Sequence, residues 1–169
     1  MEKPIIENNL KTKKMKQIKF LKTLFVLMLL STISMMGQNN VKTIQNLYTA
    51  FEVGDIPKVL AGLDDKVVWN EAEGNKYADG NPYIGPQAVL NGVFARIGAD
   101  YEYFKLVNIQ LHEMSNNQVL ATLRYQAKLK KNGATYDAQA AHLWTLKNGK
   151  ATAFQQYFDT KKVADAIAK

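Results

Sequence analysis

Residues 141–160 read AHLWTLKNGKATAFQQYFDT: a strand, a tight turn, a returning strand and a helix start. Ala138, Ala140, His142, Trp144 and Leu146 alternate with Asp137, Gln139, Ala141, Leu143 and Thr145. A strand from Thr135 to Leu146 therefore has one apolar face, which carries the histidine, and one mixed, more polar face. KNGK at 147–150 is a hairpin, because Asn-Gly accepts the positive φ angles that a two-residue turn requires. On the return strand, 151–158, Phe154, Gln156 and Phe158 face one way and Gln155 and Tyr157 the other. The first face is the more apolar, which turns Gln156 inward. Asp159 or Thr160 caps a closing helix on which Val163, Ala166 and Ile167 dock.

The same alternation extends upstream. Val119, Ala121, Leu123, Tyr125, Ala127 and Leu129 share one face of 118–130, opposite Thr122, Arg124, Gln126 and Lys128. This is a half-buried antiparallel strand. KNG at 131–133 turns it into the next strand, and NN at 116–117 joins it to a long strand over 101–113. Before these strands the spacing changes. Val41, Ile44, Leu47, Tyr48 and Phe51 recur at helical intervals, Gly54 stops that helix, and Asp55 caps a second with Pro57 in its first turn. KVVWNE at 66–71 is a short strand. AEGNKYADGNPYIGP at 72–86 is a loop, and Val89, Leu90, Val93, Phe94 and Ile97 mark a third helix. Three helices, with one strand among them, followed by a four-stranded meander predict a single α+β domain.

The net charge of +7 belongs mostly to the N-terminus: residues 1–37 carry seven lysines against Glu2 and Glu7, and the remainder is nearly balanced. That distribution predicts no nucleic-acid partner. Lys11, Lys13, Lys14, Lys16, Lys19 and Lys22 precede the apolar run LFVLMLL at 24–30, which STISMMGQ follows. This is the pattern of a signal peptide cleaved near Gly37–Gln38, with Met15 as an alternative start. A retained membrane anchor is the other reading, although the run is short for a bilayer span. The expected organisation is a targeting segment, 1–37, and a domain, 38–169. The expected location is the periplasm or exterior of a bacterium, with no stable membrane insertion after cleavage. The chain has no cysteine, so disulfides, a lipoprotein anchor and thiolate metal sites are excluded. No glycine loop with lysine and no paired histidines at metal spacing occur, so no cofactor or metal is expected. Ser115 is the sole serine after residue 37 and lies in a turn, which argues against a serine nucleophile.

The segments YTAFEVGD (48–55), VVWNEAEG (67–74), YIGPQAVL (83–90) and the opening stretch resemble the SnoaL-like and ketosteroid-isomerase-related branch of the nuclear transport factor 2-like superfamily. The resemblance covers about 40–167. It implies a curved antiparallel sheet wrapped around three N-terminal helices, a cystatin-like cone-shaped α+β barrel enclosing an apolar pocket. It does not select a reaction, because the superfamily contains isomerases, cyclases, dehydratases, hydrolases and non-catalytic domains.

His142 sits beside Ala138 and Ala140, whose small side chains leave room for a cavity wall. The resemblance places it where ketosteroid isomerase carries a hydrogen-bond-donating carboxylic acid; the alternative is a core histidine bonded to a backbone carbonyl. Glu71 shares a face with Trp69 and Val67 and, through the resemblance, falls on the isomerase's general base. A carboxylate beside an indole is partly desolvated and so is a better base near neutral pH. Glu73 is an equally eligible pocket residue. The isomerase's oxyanion-stabilising tyrosine matches Leu47, with Tyr48 one residue along, about 100° around the helix. Tyr77 and Tyr83, in the loop before helix 3, either close over a ligand or pack against Trp69. Trp144 and Gln156 complete the expected pocket lining. Three functions follow: proton transfer on an apolar or polyketide-like carbonyl compound by Glu71 and His142; non-catalytic binding of a small apolar ligand; or an interaction domain that forms a homodimer through its convex sheet face.

Overall fold

In the computed structural model, Asn148 and Gly149 adopt φ of 53° and 76°, and the chain reverses there as the Asn-Gly pair requires. The structure describes residue 15 and residues 39–169. The lysine-rich segment, the 24–30 run and the Gly37–Gln38 junction lie outside the described residues.

Five α-helices and six strands are described in the domain. Residues 39–52 form α1, which Gly54 ends at φ 74°. Helix α2 is Ile56–Ala61, capped by the Asp55 carboxylate accepting from Lys58 N–H. Strand β1 is Leu63–Asn70. The two-residue strand β2, Tyr83–Ile84, lies within the segment expected to be all loop and pairs antiparallel with β1. Helix α3, Pro86–Val89, continues through a π-turn at Leu90–Phe94 into α4, Ala95–Asp100. Strands β3 (Tyr101–Met114), β4 (Gln118–Leu129), β5 (Thr135–Lys147) and β6 (Lys150–Phe158) form the meander. Helix α5, Thr160–Ile167, is capped by Asp159.

The α+β expectation holds, and so does the antiparallel meander, but the sheet as a whole is mixed. Its order is β2-β1-β6-β5-β4-β3, and β1 joins β6 in parallel. Parallel pairing is available because α3, α4 and the meander intervene between the two strands. The inward faces are those given by the alternation: Val119, Ala121, Tyr125 and Ala127 on β4, and Ala138, His142, Trp144 and Leu146 on β5, are all buried. His112 is exposed, and Arg124 forms a surface ion pair with Asp137 at 2.6 Å.

Two local features shape the space inside. The π-turn widens the helix by one residue over its length and presents Val93 and Phe94 to the sheet. Gly92, within that turn, is required by close approach: a Cβ there would lie 2.0 Å from the Tyr83 ring. On β3, an edge strand, the register with β4 shifts between Val107 and Gln110, where Asn108 has φ 56°. This bulge bends the edge.

Candidate functional site

His142 lies opposite Gln156 on β6 and opposite Ala121 on β4. Small neighbours on β4 and β5 let its ring tilt along the sheet toward Tyr125, at 5.6 Å between centroids. Helix α1 lies over this face and delivers Tyr48. The Tyr48 hydroxyl is 2.7 Å from His142 Nδ1, and the Tyr125 hydroxyl contacts His142 Nε2. Trp144 Nε1–H donates to the Tyr48 hydroxyl at 2.9 Å, and Gln156 Nε2–H donates to that of Tyr125 at 3.0 Å.

Glu71 follows the end of β1, and its backbone is held from both sides by Asn81. The Glu71 N–H donates to Asn81 Oδ1 at 2.9 Å, and Asn81 Nδ2–H donates to the Glu71 carbonyl at 2.8 Å. The carboxylate accepts from Trp69 Nε1–H and from Asn75 Nδ2–H, each at 2.7 Å. Gln156 ties the two groups together: its Oε1 accepts from Ala72 N–H and Asn75 Nδ2–H, each at 3.1 Å. A continuous hydrogen-bonded path therefore runs from Glu71 through Asn75, Gln156 and Tyr125 to His142. Backbone N–H groups of Ala72 and Tyr77 fix which end of the Gln156 and Asn75 amides accepts.

The electrostatics follow from burial. Glu71 is 2% exposed, and desolvation pushes its carboxyl from 4.5 up to about 7, against the opposing pull of the Trp69 and Asn75 donors and of the nearby Gln156 amide. Burial drives the His142 imidazolium from 6.5 down to about 3, so the ring is neutral at neutral pH. Burial also raises both tyrosine hydroxyls, so they are hydrogen-bond donors and not phenolates.

These groups line one cavity of about 50 Å³, walled by Trp69, Phe94, Phe104, Trp144 and Phe154. A water needs at least about 10–15 Å³ of such space and a drug-sized ligand about 300–1,000 Å³, so the chamber as it stands holds only a few waters or a small group. A recess of about 300 Å³ between α1 and β3 adjoins it and shares Tyr48, Phe51, Phe104 and Leu106 with it. Phe51, Phe104 and Leu106 are half-buried and stand between the two spaces.

Of the expected site residues, Glu71, His142, Trp69, Trp144, Gln156 and Tyr48 converge on this cavity. Glu73 is exposed, which resolves the choice between the two glutamates for the interior position. Tyr77 and Tyr83 do not line the cavity. The Tyr77 hydroxyl donates to Asp100 at 2.6 Å, while Lys76 and Arg96 each lie within 5 Å of its ring centre. Tyr83 stands opposite Trp69 across the β1–β2 pair and donates to the Tyr77 carbonyl at 2.7 Å. Both tyrosines pin the 72–85 loop to α4. Tyr125 and Asn75 were not anticipated. The available signal for Tyr125 was a single hydroxyl on an otherwise aliphatic inward face.

A family model, described as the SnoaL-like domain, matches residues 44–154. The chain belongs to the SnoaL-like family. No curated protein matches it. Among solved structures, this SnoaL-like chain is similar to an NTF2-like protein of unknown function from Burkholderia pseudomallei, with 25% identity over 78% of this chain and 98% of that one, TM-score 0.70. It is equally similar to TerC, co-crystallized with polyporic acid, with 25% identity over 78% and 99%, TM-score 0.69. A protein described as a putative polyketide cyclase from Xanthomonas campestris shares the fold, at 20% identity over 78% and 98% and TM-score 0.69.

Proposed function

We propose that this SnoaL-like domain is an exported, cofactor-independent enzyme that moves a proton on a small, mostly apolar carbonyl compound. One observation carries the reading: a carboxyl group raised to about 7 and a set of hydroxyl donors line the same apolar chamber. A base poised near the working pH is the condition for efficient proton abstraction next to a carbonyl. Of the Tyr48 and Tyr125 hydroxyls, one donates to the neutral His142 ring and the other is left to supply a hydrogen bond where negative charge develops on the carbonyl oxygen. In this reading Glu71 is the base, whichever of Tyr48 and Tyr125 has the free hydrogen is the donor, and His142 positions them without itself carrying charge. That alters the role expected for His142, whose ring nitrogens are both occupied by the tyrosines.

The ligand is a planar ring compound that reaches the chamber from the recess between α1 and β3, displacing Phe51, Phe104 and Leu106. The inner chamber is too small for a ring system, whereas the combined space falls at the lower end of the range for a ligand pocket. TerC supplies a first compound to try, polyporic acid. The aromatic lining, with two tryptophans in contact at 5.6 Å, also favours a second reading, non-catalytic binding of the same class of compound.

The test is a tryptophan-fluorescence titration with polyporic acid and with 2-tetralone, alongside mass spectrometry of any compound that co-purifies. Saturable quenching, tightened or accelerated by Phe104→Ala, is expected. Absence of quenching by both compounds, with no co-purifying molecule, overturns the ligand-binding reading.

A further inference from the structure

We propose that Tyr48, His142 and Tyr125 form a reversible hydrogen relay that selects a ligand with two conjugated oxygens, one a hydroxyl and one a carbonyl. The proposal rests on the reading that the cavity receives an oxygen-bearing ligand, but the relay itself is a property of the ligand-free protein.

Tyr48 meets His142 Nδ1 at 2.7 Å, and Tyr125 meets Nε2. A neutral imidazole has one N–H and one lone pair, and each phenol has one O–H. Three hydrogens serve two contacts, so one tyrosine hydrogen is always left over. With the ring hydrogen on Nδ1, that nitrogen donates to Tyr48, Tyr125 donates to Nε2, and the Tyr48 hydrogen is free. With the ring hydrogen on Nε2 the roles exchange, and the Tyr125 hydrogen is free. Both tyrosines line the cavity, so the free hydrogen is offered there in either case.

A histidine tautomer is usually fixed by a carboxylate or carbonyl at one nitrogen. Among the described residues, His142 hydrogen-bonds to neither. Its surroundings are instead matched on the two sides. Tyr48 accepts an N–H from Trp144 at 2.9 Å, and Tyr125 accepts one from Gln156 at 3.0 Å. The direction of both is fixed, because indole only donates and because Ala72 N–H holds the Gln156 carbonyl end. Each tyrosine oxygen thus faces one N–H donor and one imidazole nitrogen. The nearest carboxylate on the network, Glu71, acts through Asn75 and Gln156 and touches neither ring nitrogen. The hydrogen-bond partners by themselves select neither tautomer, and a ligand oxygen at either hydroxyl decides between them.

A ligand with both a hydroxyl and a conjugated carbonyl uses the relay in full. Its O–H bond breaks as the hydrogen passes to Tyr125, and the Tyr125 hydrogen passes to Nε2. The Nδ1 hydrogen passes to Tyr48, and the Tyr48 hydrogen forms the new O–H bond on the former carbonyl. Four O–H or N–H bonds break and four form, every group begins and ends neutral, and the ligand has exchanged its hydroxyl and carbonyl. A β-dicarbonyl enol or a hydroxyquinone has this chemistry. The next turnover runs in the opposite sense.

The test is ¹⁵N NMR of the His142 ring at pH 7 in the ligand-free protein, in a His112→Gln background so that a single ring is observed. In Tyr48→Phe, Tyr125 is the remaining partner and the hydrogen is expected on Nε2. In Tyr125→Phe it is expected on Nδ1. In the otherwise wild-type protein both nitrogens are expected to share it. A hydrogen held wholly by one nitrogen without the tyrosine substitutions, the same nitrogen protonated in both variants, or a doubly protonated ring overturns the relay. If a tyrosine variant does not fold, the ring with both tyrosines present decides alone. Because no ligand is involved, this outcome is independent of whether the domain turns over a substrate.

Discussion

Replacing Glu71 by glutamine changes how stability depends on pH, and the sign can be worked from the buried groups. In the unfolded chain the carboxyl ionises above 4.5; in the folded chain it keeps its proton up to about 7. The native state therefore binds more protons across this window. Its contribution to stability is greatest below 4.5 and is lost as pH rises to about 7. Each pKa unit corresponds to about 1.36 kcal/mol, so between pH 5 and 8 this group costs roughly 2.5 kcal/mol. His142 acts in the other direction. Unfolded, it takes a proton below 6.5; folded, it remains neutral down to about 3. Its contribution is fully present above 6.5 and is lost as pH falls, and it returns roughly 2 kcal/mol between pH 5 and 8. The two effects nearly cancel in the wild type. Glu71→Gln removes one of them, so on going from pH 5 to 8 the variant gains roughly 2.5 kcal/mol relative to wild type. Urea unfolding at pH 5, 6.5 and 8 measures this, because subtracting the two curves removes every other titrating group. Parallel curves for wild type and Glu71→Gln would refute the claim that Glu71 is held as a buried acid.

Trp69→Phe deletes the indole N–H that lowers the Glu71 carboxyl, so the Glu71 titration seen by ¹³C NMR should move upward from about 7. A downward or absent shift contradicts the contact. Gly92→Ala drives a methyl group into the Tyr83 ring and is expected to cost about 1–3 kcal/mol of unfolding free energy, while exposed Gly98→Ala, which meets nothing within 4 Å, leaves stability unchanged or raised.

The fold was readable because its signals are local. Alternation on 118–130 and 135–146, the Asn-Gly turn at 148–149 and the caps at Asp55 and Asp159 each depend on neighbours a few residues away. The inward positions of His142, Trp144 and Gln156 follow from the same alternation. What escaped the reading depends on distant partners. The parallel pairing of β1 with β6 joins residues far apart in sequence, and nothing in KVVWNE announces it. Tyr77 and Tyr83 sit where a pocket mouth was expected, but Arg96, Asp100 and the missing side chain of Gly92 draw them to α4. Tyr125 was hidden by its own regularity: its position in the β4 alternation is that of a core residue, and only the approach of His142 from β5 gives its hydroxyl a role. The raised carboxyl of Glu71 was anticipated from Trp69. The donor Asn75 comes from a loop, and Gln156, which accepts from Asn75, comes from the last strand.

Proton removal by Glu71 from a carbonyl compound held in this chamber would show as hydrogen exchange at the carbon beside the carbonyl of 2-tetralone. The exchange is followed by ¹H NMR in D₂O with wild type and with Glu71→Gln. Exchange well above the buffer rate is expected with wild type, and a loss of about 10²-fold or more in Glu71→Gln with fluorescence-detected binding retained. Exchange by Glu71→Gln at the wild-type rate, or wild-type exchange no faster than buffer despite binding, would contradict proton removal by Glu71.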